Sequence, residues 1–107
     1  MLRSMGQTPV AGNEQDPGDP RVVTLRKAVS RLRRELAAYP AEFPDRGIAE
    51  DELAALHAMA ASGTPEVLRL RRSLLLVAGS AGSVSALRGS LAQVRRAVEL
   101  FGELPEE

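Results

Sequence analysis

The stretch VVTLRKAVSRLRRELAAYP, residues 22–40, decides the fold of this chain of 107 residues. Its apolar side chains recur at spacings of three and four residues, which places them on one face of an α-helix. These side chains are Val22, Leu25, Val29, Leu32, Leu36 and Tyr39. Asp19 is a suitable N-cap, Pro20 suits the first helical position, and Pro40 stops the helix. The pattern predicts a helix that packs along its whole length.

A second helix is predicted over about residues 45–62, where Ala and Leu side chains again form one stripe. These side chains are Ala49, Leu53, Leu56 and Ala60. Gly63 is expected to end this helix as its C-cap. Thr64, Pro65 and Glu66 then repeat a start signal, with a hydroxyl N-cap, proline at the first position and a carboxylate in the first turn. A third helix is therefore predicted to begin directly after Thr64.

The last third of the chain allows two interpretations. The rhythm of three and four residues runs from Val67 to Val84 and resumes, after one slip of three residues, from Leu87 to Phe101. Either Gly79–Gly82 is a turn and Ser80 or Ser83 caps a fourth helix, or one long helix passes through. We favour the turn, because each glycine costs about 1 kcal/mol inside a helix.

Length and composition predict one soluble all-α domain. We expect a small antiparallel bundle of three or four helices over residues 20–102, between disordered tails at residues 1–19 and 103–107. The chain has no cysteine, which excludes disulfides, thiolate nucleophiles and cysteine-ligated metal sites. Its stability must therefore come from helix packing, within the chain or between copies.

The net charge is zero, but the charges are segregated along the chain. Residues 21–39 hold six basic and one acidic side chain, residues 40–66 one basic and six acidic, and residues 67–101 six basic and one acidic. The helices could present a basic surface to nucleic acid or an acidic partner. We favour the simpler interpretation, in which the acidic helix lies against basic neighbours and the remaining charges are solvated, with Arg26, Arg33 and Arg34 placed to reach a neighbouring helix. The candidate basic surface consists of Arg26, Arg31, Arg33, Arg34, Arg69, Arg71 and Arg72.

No motif in the sequence supports catalysis or cofactor binding. His57 is the single histidine and has no ligand at metal-binding spacing. The acids Glu50, Asp51 and Glu52 are consecutive, so on a helix they diverge. The glycine-rich GSAGS, residues 79–83, lacks the Gly-Lys-Ser/Thr of a phosphate-binding loop, and no serine sits in a nucleophile elbow. We predict no enzyme activity, no catalytic residue, no cofactor and no metal.

The sequence favours a cytoplasmic protein. Residues 1–20 do not resemble a secretory signal, because no apolar stretch follows a basic cluster. The most apolar window, LLLVAGSAG at residues 74–82, is too short to cross a bilayer. A less favoured possibility is that Leu74–Val77 and the adjacent arginines rest on anionic lipid.

Two stretches resemble a small helical protein family of Streptomyces and related actinobacteria. They are RRELAAYPAEFPDRGIAEDELAAL, residues 33–56, and RRSLLLVAGSAGSVSALRGSLAQVRRAVELFG, residues 71–102. This family has no assigned function, and the resemblance supplies no catalytic or binding motif to transfer. It agrees with thirteen arginines against one lysine, a composition typical of GC-rich codons.

These observations predict a non-enzymatic interaction or regulatory module. We expect it to associate with itself or with another helical protein, because its regular apolar seams could pack against a second copy. The candidate seam consists of Val22, Leu25, Val29, Leu32, Leu36, Leu87, Leu91, Val94 and Val98. The alternative is a nucleic-acid-binding protein that uses the arginine-rich helix faces, with binding that weakens steeply as salt is added.

Overall fold

A computed structural model describes residues 19–102, and this part of the chain is all-α, as predicted. Its helices are α1 (Pro20–Ala38), α2 (Arg46–Ala61), α3 (Val67–Ala81) and α4 (Arg88–Gly102), and a short 3-10 helix (Ser85–Leu87) precedes α4. Of the tails predicted at residues 1–19 and 103–107, only Asp19 lies within the described residues, where it caps α1.

Helix α1 begins and ends where the sequence predicts. The Asp19 carboxylate accepts a hydrogen bond from the Arg21 backbone amide at 2.9 Å, and Pro20 occupies the first turn. The amides of Val22 and Val23 also donate to the Asp19 carbonyl. At the other end Tyr39, which precedes Pro40, is extended and cannot continue the helix. Local rules therefore account for both boundaries.

The start of α3 differs from the prediction. Gly63 does follow the end of α2, with φ at +81°, the left-handed conformation that glycine adopts without strain. Thr64, however, does not cap α3: its amide donates to the Ser62 hydroxyl at 3.2 Å, so Thr64 belongs to the turn that closes α2. The first α3 hydrogen bond runs from Leu70 to the Glu66 carbonyl, so the helix begins two residues later than expected.

The predicted break between the last two helices is confirmed, but it lies later than Gly79. Helix α3 continues to Ala81, and the Ser80 hydroxyl donates to the Leu76 carbonyl inside it at 2.7 Å. The chain turns at Gly82, where a Cβ atom would overlap the Ala78 carbonyl. Neither predicted serine caps the next segment, because its N-cap position is taken by Val84.

The four helices form a ring around one core. Helices α1 and α3 each pack against both α2 and α4. Short connections make successive helices antiparallel neighbours, which is the usual arrangement of a four-helix bundle. Every buried apolar side chain in residues 19–102 is Leu, Val or Ala. The aromatic side chains of Tyr39, Phe43 and Phe101 pack at the margins of this core.

Arg46 joins the end of α1 to the start of α2. Its guanidinium donates to the carbonyls of Leu36 at 2.6 Å, Tyr39 at 2.9 Å and Ala41 at 3.0 Å. Its side chain is only 15% exposed, and it also contacts Glu50 at 3.2 Å. Basic side chains commonly satisfy the last carbonyls of a helix in this way. The contact therefore fixes the angle at which the chain enters α2.

Candidate interaction surfaces

The predicted interaction seam is the core of a single chain. All nine of its residues are buried within the bundle. The apolar faces of α1 and α4 meet each other rather than a second copy, since these two helices pack side by side. Any self-association of the folded chain must therefore use other side chains.

As the favoured interpretation of the charges expects, the acidic α2 lies against the basic α1 and α3, but within residues 19–102 no salt bridge joins α2 to either neighbour. The salt bridges in this part of the chain are local to one helix or its cap: Asp19–Arg21, Arg31–Glu35 and Arg46–Glu50.

Hydrogen bonds from serine hydroxyls to carboxylates join neighbouring helices. Ser90 of α4 donates a hydrogen bond to Glu35 of α1, and Ser73 of α3 donates to Glu52 of α2 at 2.9 Å. These serines are buried beside the core. The two carboxylates are therefore bound across the helix interfaces by serine hydroxyls and not by the arginines of a neighbouring helix.

Glu35 is held in its charged form. The Ser90 hydroxyl lowers the pKa of the Glu35 carboxyl most, and the hydrogen bond from Arg31 lowers it further. The nearby positive charges of Arg31 and Arg34 act in the same direction. Arg31 also donates to the side-chain oxygen of Gln93 in α4 at 3.2 Å, which ties the same two helices together a second time.

An open groove of about 1030 Å³ runs between α1 and α4. Five basic side chains and no acidic one are among the residues that line it. The basic residues are Arg26, Lys27, Arg31, Arg34 and Arg96. Ala28 and Ala97 keep the centre of the groove shallow and apolar, and Val23 and Leu100 lie at one end. We call this surface the basic groove.

The seven arginines of the predicted basic surface do not form one patch. Arg26, Arg31 and Arg34 line the basic groove. Arg33 instead lies beside Glu50 and Leu53, in a small cavity of about 240 Å³ between α1 and α2.

The three arginines of α3 lie outside the groove. Arg71 donates a hydrogen bond to the Gly102 carbonyl at the end of α4, whereas Arg69 and Arg72 are exposed. Lys27 and Arg96 also line the basic groove but were not among the predicted residues.

Helix α3 exposes a row of leucines, of which Leu75 and Leu76 belong to the segment predicted for lipid contact, whereas Leu68 was not predicted. Leu68 is 80% exposed, Leu75 is 72% exposed and Leu76 is 40% exposed. Leu68 and Leu75 each precede a buried position, Leu70 or Val77, by two residues, or about 200° around the helix. That offset was visible in the sequence and could have placed both leucines on the outer face. We call Leu68, Leu75 and Leu76 the leucine ridge.

The remaining polar candidates have no catalytic arrangement. His57 is half-buried, and its Nδ1 atom is buried without a hydrogen-bond partner. Ser73, Ser80 and Ser90 are buried and hydrogen-bonded within the bundle. Among residues 19–102, three or more His, Asp or Glu side chains nowhere converge as metal ligands would. The hydrogen bonds of the three serines therefore belong to the packing of the bundle.

The segment Leu74–Val77, considered above for lipid contact, is split between surface and interior. Leu75 and Leu76 are exposed, Leu74 is partly buried and Val77 is fully buried. Across the described residues, every helix is too short or too polar to traverse a bilayer.

Comparison with known proteins gives a family but no activity. No curated protein matches this chain, and no solved structure matches it. The model of a family of unknown function, DUF5955, matches residues 14–102, which include all four helices. The chain belongs to the DUF5955 family.

Proposed function

We propose that this protein is a non-enzymatic interaction module that associates with itself through the outer face of α3. The observation that carries the proposal is the leucine ridge, with Leu68 and Leu75 almost fully exposed. Single exposed leucines are ordinary on protein surfaces. Here two of them stand two turns apart on one stripe, the spacing at which a neighbouring helix would contact both.

The surface beside the ridge favours a second copy as the partner. Helix α2 packs against α3 and exposes Ala54, Ala58 and the acidic Asp51. On α3 the ridge is flanked by the exposed cations Arg69 and Arg72. One chain therefore carries both a basic surface with projecting leucines and a flat acidic surface. A twofold axis would bring each against its complement, as a symmetric dimer requires.

The expected association is weak. Burying one leucine contributes about 1.5–3 kcal/mol, so Leu68 and Leu75 from two copies contribute about 6–12 kcal/mol in total. Association costs about 4–15 kcal/mol in lost freedom of motion. The two ranges overlap, so the net gain is small, and a gain of about 5 kcal/mol would correspond to a Kd of roughly 0.2 mM. The dimer is therefore expected to form only in concentrated solution.

Sedimentation velocity at protein concentrations on both sides of about 0.2 mM tests the proposal. The wild type should shift from monomer to dimer, and the double variant Leu68→Glu/Leu75→Glu should stay monomeric with an unchanged circular dichroism spectrum. Leu100→Glu is the matched control, because Leu100 is an exposed leucine outside α3, and this variant should still dimerise. A wild type that remains monomeric throughout, or a double variant that dimerises equally well, would contradict the proposal.

Cytoplasmic residence and an actinobacterial origin remain parts of this proposal. The arginine-rich composition supports the origin, since GC-rich codons favour arginine over lysine. The absence of cysteine agrees with a compartment in which disulfides do not form. Fractionation of cells that express the tagged protein from its own promoter tests the compartment, and recovery in the membrane or the medium would contradict it.

A further inference from the structure

We infer that the basic groove binds an acidic amphipathic helix of a partner protein. The groove is formed by α1 and α4, whereas the leucine ridge lies on α3. In the ring of helices, α4 lies between α1 and α3. This binding site is therefore distinct from the surface proposed for self-association, and each can be disabled without the other.

The charge of the groove selects an acidic ligand. Five cations and no carboxylate line it, and Glu35, which follows Arg34 on α1, is occupied by the Ser90 hydroxyl and by Arg31. Lys27, Arg34 and Arg96 make no salt bridge within residues 19–102. Their charges are exposed and available to a ligand. The local positive potential would also raise the association rate constant of an acidic segment.

The shape of the groove selects a helix. On α1 the lining runs from Val23 to Arg34, a length of about 16 Å, which equals about three helical turns. The alanines at its centre, Ala28 and Ala97, let the backbone of a third helix approach closely. Long basic side chains stand on both sides of this centre. A helix with small apolar residues between two acidic edges would complement that cross-section.

Leu100 favours a protein ligand over nucleic acid. It is 46% exposed at the end of the groove and lies near Val23. A phosphate backbone is charged and polar, so an apolar side chain does not contribute to binding it. Single-stranded nucleic acid is normally held by aromatic side chains that stack on its bases. No aromatic residue lines the groove. An apolar side chain of a partner helix would contact Leu100 as its anchor.

Fluorescence anisotropy tests this inference with three labelled probes. The first is a synthetic alanine-rich helix of about 14 residues that has glutamates along two edges and leucines toward one end. The second is the same peptide with every glutamate replaced by lysine. The third is a single-stranded oligonucleotide of similar length. The glutamate peptide should bind most tightly, the lysine peptide should not bind, and added salt should weaken binding.

Matched variants identify the surface that binds. Lys27→Glu/Arg34→Glu should weaken binding of the glutamate peptide at least tenfold, whereas Arg69→Glu/Arg72→Glu, with the same change of charge on α3, should leave it within about twofold. Leu100→Ala should weaken the peptide about fivefold and leave any oligonucleotide binding unchanged.

Two outcomes would overturn the inference. One is an absence of peptide binding. The other is tighter binding of the oligonucleotide than of the peptide, which would assign the groove to nucleic acid. The Leu68→Glu/Leu75→Glu variant should bind the peptide as the wild type does. Its result separates failure of the groove from failure of self-association.

Discussion

Replacing Arg46 with alanine should destabilise the bundle far more than removing its ion-pair partner Glu50. Arg46→Ala removes three hydrogen bonds from a charged donor to backbone carbonyls. The Ala41 carbonyl can bond to water instead, because that residue is exposed, but those of Leu36 and Tyr39 are partly buried. Two such bonds at about 1.5 kcal/mol each give a loss of about 3 kcal/mol.

The Glu50 side chain is 54% exposed, so Glu50→Ala should cost at most about 0.5 kcal/mol. Arg46→Lys should resemble Arg46→Ala more than the wild type, because one ammonium group cannot reach several carbonyls in the fork geometry of a guanidinium.

Urea unfolding followed by circular dichroism measures these differences directly. In a thermal scan the loss expected for Arg46→Ala corresponds to a fall in Tm of about 15 °C for a domain of this size. If Glu50→Ala costs as much as Arg46→Ala, the ion pair rather than the carbonyl contacts would hold the two helices, and the reasoning would be refuted. A loss below about 0.5 kcal/mol for Arg46→Ala would refute it as well.

Three further predictions concern the core, the glycines and pH. Leu32→Ala should lower the free energy of unfolding by about 3–4 kcal/mol, because the side chain is fully buried, and urea titration would show a smaller loss if the core collapsed into the cavity. Gly79→Ala should raise stability by about 1 kcal/mol, since the site is helical and open, whereas Gly63→Ala should lower it by about 1 kcal/mol because φ is positive; equal Tm shifts would contradict this. The hydrogen bond from Ser90 lowers the pKa of the Glu35 carboxyl in the folded state. The stability that the charged carboxylate contributes is therefore present above the unfolded pKa and is lost as pH falls through the folded pKa. Urea midpoints measured against pH should show this decline on the acid side, and Glu35→Gln should flatten it.

Local sequence rules predicted most of the fold. The stripe from Val22 to Leu36 is the buried face of α1, and Asp19 with Pro20 starts that helix as expected. These features depend on residues within one or two turns of each other, so one sequence contains the required information. The break near Gly82 follows from the same reasoning.

The prediction was wrong where two local signals compete. Thr64 has the side chain of an N-cap, but its backbone amide donates a hydrogen bond to the nearby Ser62 hydroxyl. This bond makes Thr64 part of the preceding turn. The acidic α2 does pack between the basic α1 and α3, but within residues 19–102 no ion pair joins them, because charge counts carry no information about which side chains meet. Glu52 meets Ser73, not an arginine.

The candidate surfaces could be predicted only in part. The charge distribution predicted Arg26, Arg31 and Arg34 as basic surface residues but could not predict Leu100, which joins them only because α4 packs against α1. The nine seam residues were correctly identified as apolar helix faces, but periodicity does not tell an internal partner helix from an external one.

The buried apolar side chains of residues 19–102 are all Leu, Val or Ala, and their shapes favour no single packing arrangement strongly. Aliphatic side chains of similar size can exchange neighbours at small cost, so such a core alone would permit a bundle of opposite handedness or a shifted register. The contacts of Glu35 with Ser90 and of Glu52 with Ser73 exist in only one of these arrangements. Their joint replacement by alanine should therefore leave the helices formed while the sharp, dispersed NMR signals of a unique structure collapse toward those of a molten globule.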